Sequence, residues 1–295
     1  MLRELKFRAG ELGRLREALL SLRSSEDVLL LRQGAVEVPK EKWIDLIEAQ
    51  VGLIADRRHF TPKWAAEDAV RMAREQAEAR ALHVASGSAA GAPSPTSQDP
   101  QMAPADWWEI SYQPDKAIAY AYSNTRQPLH TDNAWFADPA EINFFIMQKQ
   151  AVTGGEQTIY PLSRLIEDLS REEPALLSDL TSVVVTIKKG DNDYFNRTPI
   201  IARGAEDRIY WNFYRTEKPT VEIGAMCDAF FKYLERKEGT ASVEKIRCES
   251  GDCLSFNDLK MLHGRTAFAA AAPRDRVFLH SMWKLPAQQK GQSAA

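Results

Sequence analysis

Apolar positions along this chain fall into two regimes. In the first, Leu12, Leu15, Leu19, Leu20 and Leu22 recur at helical spacing and predict a helix over residues 10–23. A continuous apolar run, Val28-Leu29-Leu30-Leu31, then reads as a strand buried on both faces. A second helix is expected over 40–53, with Pro39 near its start, and a third, Ala-rich and charged, over 64–84. Residues 85–106 are small, polar and Pro-rich with no hydrophobic period, which predicts an irregular loop or a lid. From Trp107 to Trp283 the pattern changes to short β runs at 118–121, 142–148, 183–187, 209–213, 243–247, 253–256 and 276–282. Two helical stretches interrupt them: 163–180, broken near Pro174, and 221–237, stopped by Gly239. Many short strands with few helices predict a mainly β fold with α decoration, a jelly-roll type barrel in which the helices pack outside. No GxGxxG turn supports a dinucleotide-binding sheet.

Composition narrows the picture without naming any chemistry. The 295 residues can bury a large core, with 44% hydrophobic and 27% charged residues, both ordinary for a globular domain. The formal net charge is −3, which offers no field to recruit nucleic acid or an anionic membrane. The first twenty residues are charged throughout and lack the apolar core of a signal peptide, and no apolar run approaches the roughly 18 residues of a membrane span. Cys227, Cys248 and Cys253 show neither zinc spacing nor an even disulfide framework. The expectation is a cytoplasmic protein acting on a small molecule, without nucleic acid or membrane partner, whose oligomeric state, a homodimer among the options, is left open. The chain is expected to form one domain over 1–288: an N-terminal α/β layer (1–84), the loop or lid (85–106), the core (107–288), and then a disordered tail at 289–295.

Only five histidines are present, so a histidine-based site draws on a short list. The segment LHTDNAWF places His130 and Asp132 two apart, on one face if the strand is regular. His263, in MLHGRTAF, supplies a third candidate ligand. Two imidazoles and one carboxylate on one face of an octahedron are the ligand set of non-haem Fe(II) oxygenases. An HxD pair alone is more often a simple hydrogen-bonded contact, so the flanks matter. In PRDRVFLHSMW, Arg276, Phe278 and His280 share a strand face, and an inward arginine is costly unless it meets an anion. GGEQTIYPL offers Thr158 as a second donor to a carboxylate.

In this order and spacing, LHTDNAWF, GGEQTIYPL, GDCLSFNDLKMLHGRTAF and an arginine 13 residues after the second histidine resemble the taurine dioxygenase-like (TauD/TfdA) oxygenases. That family includes the gamma-butyrobetaine hydroxylases and clavaminate synthase. The resemblance covers about 115–285. It implies a double-stranded β-helix (jelly roll) holding Fe(II) through His130, Asp132 and His263. It further implies 2-oxoglutarate as cosubstrate, with its distal carboxylate on Arg276 assisted by Thr158, and O2 as oxidant. The implied reaction hydroxylates an unactivated C–H of a small polar substrate, an amino acid or related acid, as 2-oxoglutarate is converted to succinate and CO2. Desaturation, cyclisation or oxidative decarboxylation are the alternatives within the family, and a non-catalytic small-molecule-binding barrel the alternative outside it.

Substrate contacts are less constrained. His280 stands where the taurine enzyme carries an anion-binding arginine. Arg126 shares the face of His130 if the strand is regular, although Pro128 intervenes. Asn212 in IYWNFY and Trp135 are further candidates, and Asp191 and Asp193 could meet an ammonium group. Trp135, Phe136, Trp211, Phe213 and Tyr214 are expected to form a dry aromatic wall. His59 and His83 have no second ligand at helical spacing and read as structural.

Overall fold

Val28–Leu31 is covered along its whole length, each residue at most 1% exposed, as a strand buried on both faces must be. It belongs to a seven-stranded sheet in the computed structural model, which describes residues 2–6, 8, 11–56, 107–117, 119–189 and 194–286. The strands are β1 (Leu2–Lys6), β2 (Val28–Arg32), β3 (Ile54–Ala55), β4 (Trp108–Ser111), β5 (Gln127–His130), β6 (Ile142–Lys149), β7 (Gln157–Pro161), β8 (Val184–Lys188), β9 (Phe195–Pro199), β10 (Ile201–Ala202), β11 (Arg208–Ile209), β12 (Glu244–Ile246), β13 (Cys253–Asn257), β14 (Met261–Arg265) and β15 (Val277–Lys284). The large sheet runs β1-β2-β13-β6-β15-β3, with β4 also paired to β15. A four-stranded sheet, β12-β7-β14-β5, forms the second layer. Every pairing in these two sheets is antiparallel except β1 with β2.

Three apolar clusters divide the interior, and strand alternation explains them. Phe145, Met147, Ile159, Phe256, Met261 and Phe278 fill the space between the sheets. Ile142, Phe144 and Ile146, the alternate residues of β6, face outward and are covered by the N-terminal helices through Leu15, Leu19, Trp43 and Ile47. Tyr160 and Leu262, on the outer face of the small sheet, are covered by the helices Leu162–Glu172, Pro174–Ser182 and Val221–Lys237. The result is a two-sheet β core with helices on both outer faces, the predicted jelly-roll class.

Local differences from the expected elements have visible causes. The second helix is α-helical only over Lys40–Leu46 and finishes as a π-turn, Ile47–Val51, ended by Gly52 in the left-handed region. The expected strand at 209–213 stops at Ile209, and the 118–121 run gives a 3₁₀ turn, Tyr120–Tyr122. The Val221–Lys237 helix starts on Thr220, whose hydroxyl accepts from the Ile223 N–H. Gly239, expected to stop it, has an ordinary φ; the chain instead tightens at its end, with Thr240 N–H bonding the Lys237 carbonyl. The three cysteines are buried and free. The expected helix at 64–84, the loop 85–106, the tail 289–295, His59, His83, Asp191 and Asp193 lie outside the described residues.

Candidate metal and anion site

The site is built where the inner face of the small sheet meets the inner face of the large one. β14 pairs with β5 so that His263 lies opposite His130 and Arg265 opposite Gln127. His263 and Arg265 are two positions apart on β14 but His130 and Gln127 are three apart on β5, so the ladder carries an irregularity between the two pairs. That extra residue at Pro128–Leu129 restores both Gln127 and His130 to the inward face. It also reverses the parity upstream. Arg126, expected beside His130, points outward and pairs with Glu235 and Glu238 of the Val221–Lys237 helix at 2.7 Å each.

β5 ends at His130, so Asp132 is not a strand residue but sits in the following turn, whose Asn133 takes a left-handed φ of 58°. The turn returns the carboxylate beside the histidines. Donor atoms of His130, Asp132 and His263 all lie within 4.8 Å of one another. His130 Nε2 is 3.6 Å from Asp132 Oδ1, and His263 Nε2 is 3.3 Å from Oδ2. Both rings are aimed from behind. His130 Nδ1 is 2.9 Å from the Pro128 carbonyl, and His263 Nδ1 is 3.1 Å from Asp258 Oδ1. Each ring therefore turns Nε2 toward the carboxylate, and a divalent ion fits this donor set.

Electrostatics agree with a cation site. Burial works against the Asp132 charge, but His263 and the neighbouring rings outweigh it and hold the carboxyl well below its usual range. Burial also opposes charge on His263, yet the Asp132 and Asp258 carboxylates raise it to about 10. Asp258 is pushed up to about 7 by burial.

The same cavity holds two buried arginines. Arg265 gives one guanidinium nitrogen to the carbonyls of Tyr120, Ser123 and Thr125, fastening that segment to β14. Arg276 is 1% exposed and its Nε has no hydrogen-bond partner. Burial lowers Arg276 to about 10; burial and the neighbouring Arg276 charge lower Arg265 to about 9. Among the described residues no carboxylate bonds Arg276, whose charge therefore calls for an anion from outside. Gly155, at φ +77°, lets the chain pass close, since a Cβ there would stand 2.9 Å from Arg276 Nε.

Thr158, expected to assist Arg276, faces the other way. In the β7–β14 register Gln157 lies opposite Arg265 and Ile159 opposite His263, all inward, so Thr158 falls opposite Gly264 on the outer face. Gln157 faces Arg276 instead: with its amide turned so that both neighbours are satisfied, its nitrogen donates to the Gly264 carbonyl at 3.0 Å and its oxygen accepts from Arg276 at 3.1 Å. His280 does line the cavity, but it is buried, stacked on Phe145 (centroids 4.2 Å apart, 10° between planes), and its Nε2 is 3.0 Å from Asn143 Oδ1. Burial lowers it to about 4, so it presents no cation to a substrate. Asn212 is not among the residues lining the cavity; its main-chain carbonyl accepts from the Arg215 and Thr216 N–H groups and from the Thr216 hydroxyl. Trp135 packs with Phe136 and under the Lys189 ammonium, away from the cavity wall. Nor do Phe136, Trp211, Phe213 and Tyr214 line the cavity; its aromatic surface comes from Trp108, Phe145 and Phe278.

Five further residues around this site escaped the sequence reading: Gln127, Asn143, Gln157, Asp258 and Arg265. Two carried a signal. Arg265 is two residues beyond His263 on a strand, hence on its face, and Asn143 is the lone polar residue in the apolar run INFFIM.

Comparison with known proteins adds an independent line. The model of a family described as "Taurine catabolism dioxygenase TauD, TfdA family" matches residues 67–283. Gamma-butyrobetaine dioxygenase of Homo sapiens is 23% identical over 181 residues, 57% of this chain and 46% of that protein. The chain thus spans about half the length of the curated relatives it matches. Among solved structures, a non-heme iron oxygenase, OrfP, in complex with Fe and alpha-ketoglutaric acid aligns over 93% of this chain and 79% of its own, at 15% identity and a TM-score of 0.57. An asparagine oxygenase in complex with Fe(II), hydroxyasparagine and succinate aligns over 61% and 57%, at 13% identity and 0.51. At these identities the structural likeness shows the fold.

Proposed function

The chain belongs to the TauD/TfdA dioxygenase family, and from that premise we propose that it is a non-haem Fe(II)- and 2-oxoglutarate-dependent dioxygenase. It hydroxylates an unactivated C–H of a small polar substrate, an amino acid or related small acid. The observation that carries this reading is one cavity holding both a two-histidine, one-carboxylate cluster and a buried arginine that no carboxylate among the described residues bonds. A metal hydrolase would need the first but has no use for the second.

His130, Asp132 and His263 would hold Fe(II), and Arg276 with Gln157 would receive the distal carboxylate of 2-oxoglutarate. The bound metal and cosubstrate supply the oxidising chemistry, with O2 as oxidant and succinate and CO2 as coproducts. The chain's own work is placement. The Pro128 carbonyl and Asp258 keep both Nε2 atoms turned to the metal position. Trp108, Phe145 and Phe278 limit water around it. The substrate class rests on the relatives: one acts on gamma-butyrobetaine, and another holds hydroxyasparagine. Residues 1–288 are read as one domain serving this site, and the enzyme as a cytoplasmic one; among the described residues no helix is long and apolar enough to cross a membrane.

Purified protein given Fe(II) and 2-oxoglutarate without oxygen is expected to show the weak visible charge-transfer band of the metal–keto acid chelate, absent in His130→Ala. Admitting O2 with small amino acids then identifies the substrate by stimulated succinate release. A wild-type protein without the band would refute the assignment.

A further inference from the structure

Asn143 sits behind the metal cluster on β6, 1% exposed, in a strand otherwise apolar as far as Met147. An asparagine side chain has one carbonyl acceptor and two N–H donors. Here both ends are engaged. Its Oδ1 lies 3.0 Å from His280 Nε2; its Nδ2 donates to Asp258 Oδ1 at 3.0 Å and to Asp132 Oδ2 at 3.3 Å. The two carboxylates settle which way the amide points, because an amide oxygen turned toward them would meet only acceptors. With Nδ2 committed to the acids, Oδ1 must accept, so His280 carries its proton on Nε2. The His280 ring is itself clamped by Phe145 and by Trp108, 6.2 Å away.

Resting on the metal-centre reading above, we propose that Asn143 is the positioning residue of that centre, orienting Asp132 directly and His263 through Asp258, with His280 as the lock on its amide. One side chain of the large sheet thereby sets two of the three ligands, both contributed by the small-sheet side. The third, His130, is aimed separately by Pro128. Partners of this kind typically govern metal affinity by 10–100-fold.

The test is anaerobic Co(II) titration of the full-length protein, followed by calorimetry and by the visible ligand-field spectrum. Asn143→Ala is expected to weaken Co(II) binding about 10–100-fold and to shift the spectrum. His280→Leu should reproduce most of the loss, while His280→Gln, which restores an N–H donor, recovers it. Trp43→Phe, in the N-terminal core, controls for stability: it should lower Tm and leave affinity and spectrum unchanged. If Asn143→Ala does not fold, the His280→Leu and His280→Gln pair decides. Wild-type binding with unchanged affinity and spectrum in the variants overturns the role of Asn143. A wild-type protein that binds no Co(II) instead overturns the metal centre on which it rests.

Discussion

Gln157 and Thr158 are neighbours on β7, yet their partners across β14 send one side chain toward Arg276 and the other toward the helices outside. Adjacent strand residues always diverge in this way, and only the register says which is inward. The geometry therefore predicts different outcomes for two adjacent substitutions. Arg276→Ala should raise the 2-oxoglutarate requirement most, by 100-fold or more if about 3 kcal/mol of buried charge pairing is lost. Gln157→Ala should raise it about 3–10-fold, the worth of one hydrogen bond. Thr158→Val, which exchanges a hydroxyl without a hydrogen-bond partner for a methyl of similar size, should leave it within about twofold. Apparent KM values for 2-oxoglutarate, measured by succinate release, rank the three. Thr158→Val ranking above Gln157→Ala would reverse the facing described here.

At the scale of elements, β5 shows how little a strand's sequence says about its own parity. Its HxD motif is plain, but the irregularity at Pro128–Leu129 comes from pairing with β14, and the left-handed turn at Asn133 follows the end of the strand; no local pattern reports either. The helices were more legible, since amphipathic spacing exposes which side they bury. A buried polar junction joins them to β7. Asp168 accepts from the Tyr160 hydroxyl at 2.8 Å and from Arg171 at 2.5 Å, and Lys237 lies 3.4 Å away. Burial raises this carboxyl, but hydrogen bonds from Ser242, Tyr160 and Arg171 and the Lys237 charge outweigh it and hold it far below its ordinary value. A folded pKa below the unfolded one adds stability above about pH 4 that is lost as pH falls further. Asp168→Asn should therefore cost about 1–3 kcal/mol at neutral pH, and the gap from wild type should narrow progressively as pH falls from about 5 to 2. Urea midpoints across that range test it; a gap independent of pH would remove the ionised carboxylate from the account.

For the whole molecule, the division of labour between sheets has a thermodynamic signature. His130, Asp132 and His263 belong to the small-sheet side, and Arg276 immediately precedes β15 of the large sheet. A metal alone engages one sheet, whereas 2-oxoglutarate added to it would bridge both. A ligand at 100 times its Kd stabilises the folded state by about 2.7 kcal/mol, which moves Tm by roughly 5–10 °C in a chain of this size. Wild type should gain Tm in two steps, first with metal and then with 2-oxoglutarate. Arg276→Ala should keep the first step and lose most of the second. Equal second steps in both proteins would detach Arg276 from the cosubstrate.

What sequence alone determined here is the set of groups and the class of scaffold. Two histidines, an aspartate and a distant arginine are chemically unusual enough to stand out, and short apolar runs mark most of the strands, though not those expected at 118–121 and beyond Ile209. What only the tertiary structure decided is which faces those strands present and what stands behind each ligand. Arg126 went to the surface, Thr158 to the outer face and His280 into a neutral hydrogen bond, while Gln157, Asp258 and Asn143 moved into the site. The reason is physical: composition and periodicity are local, but facing is set by cross-strand register and by irregularities in the ladder. Those are settled by partners more than 100 residues away in the chain.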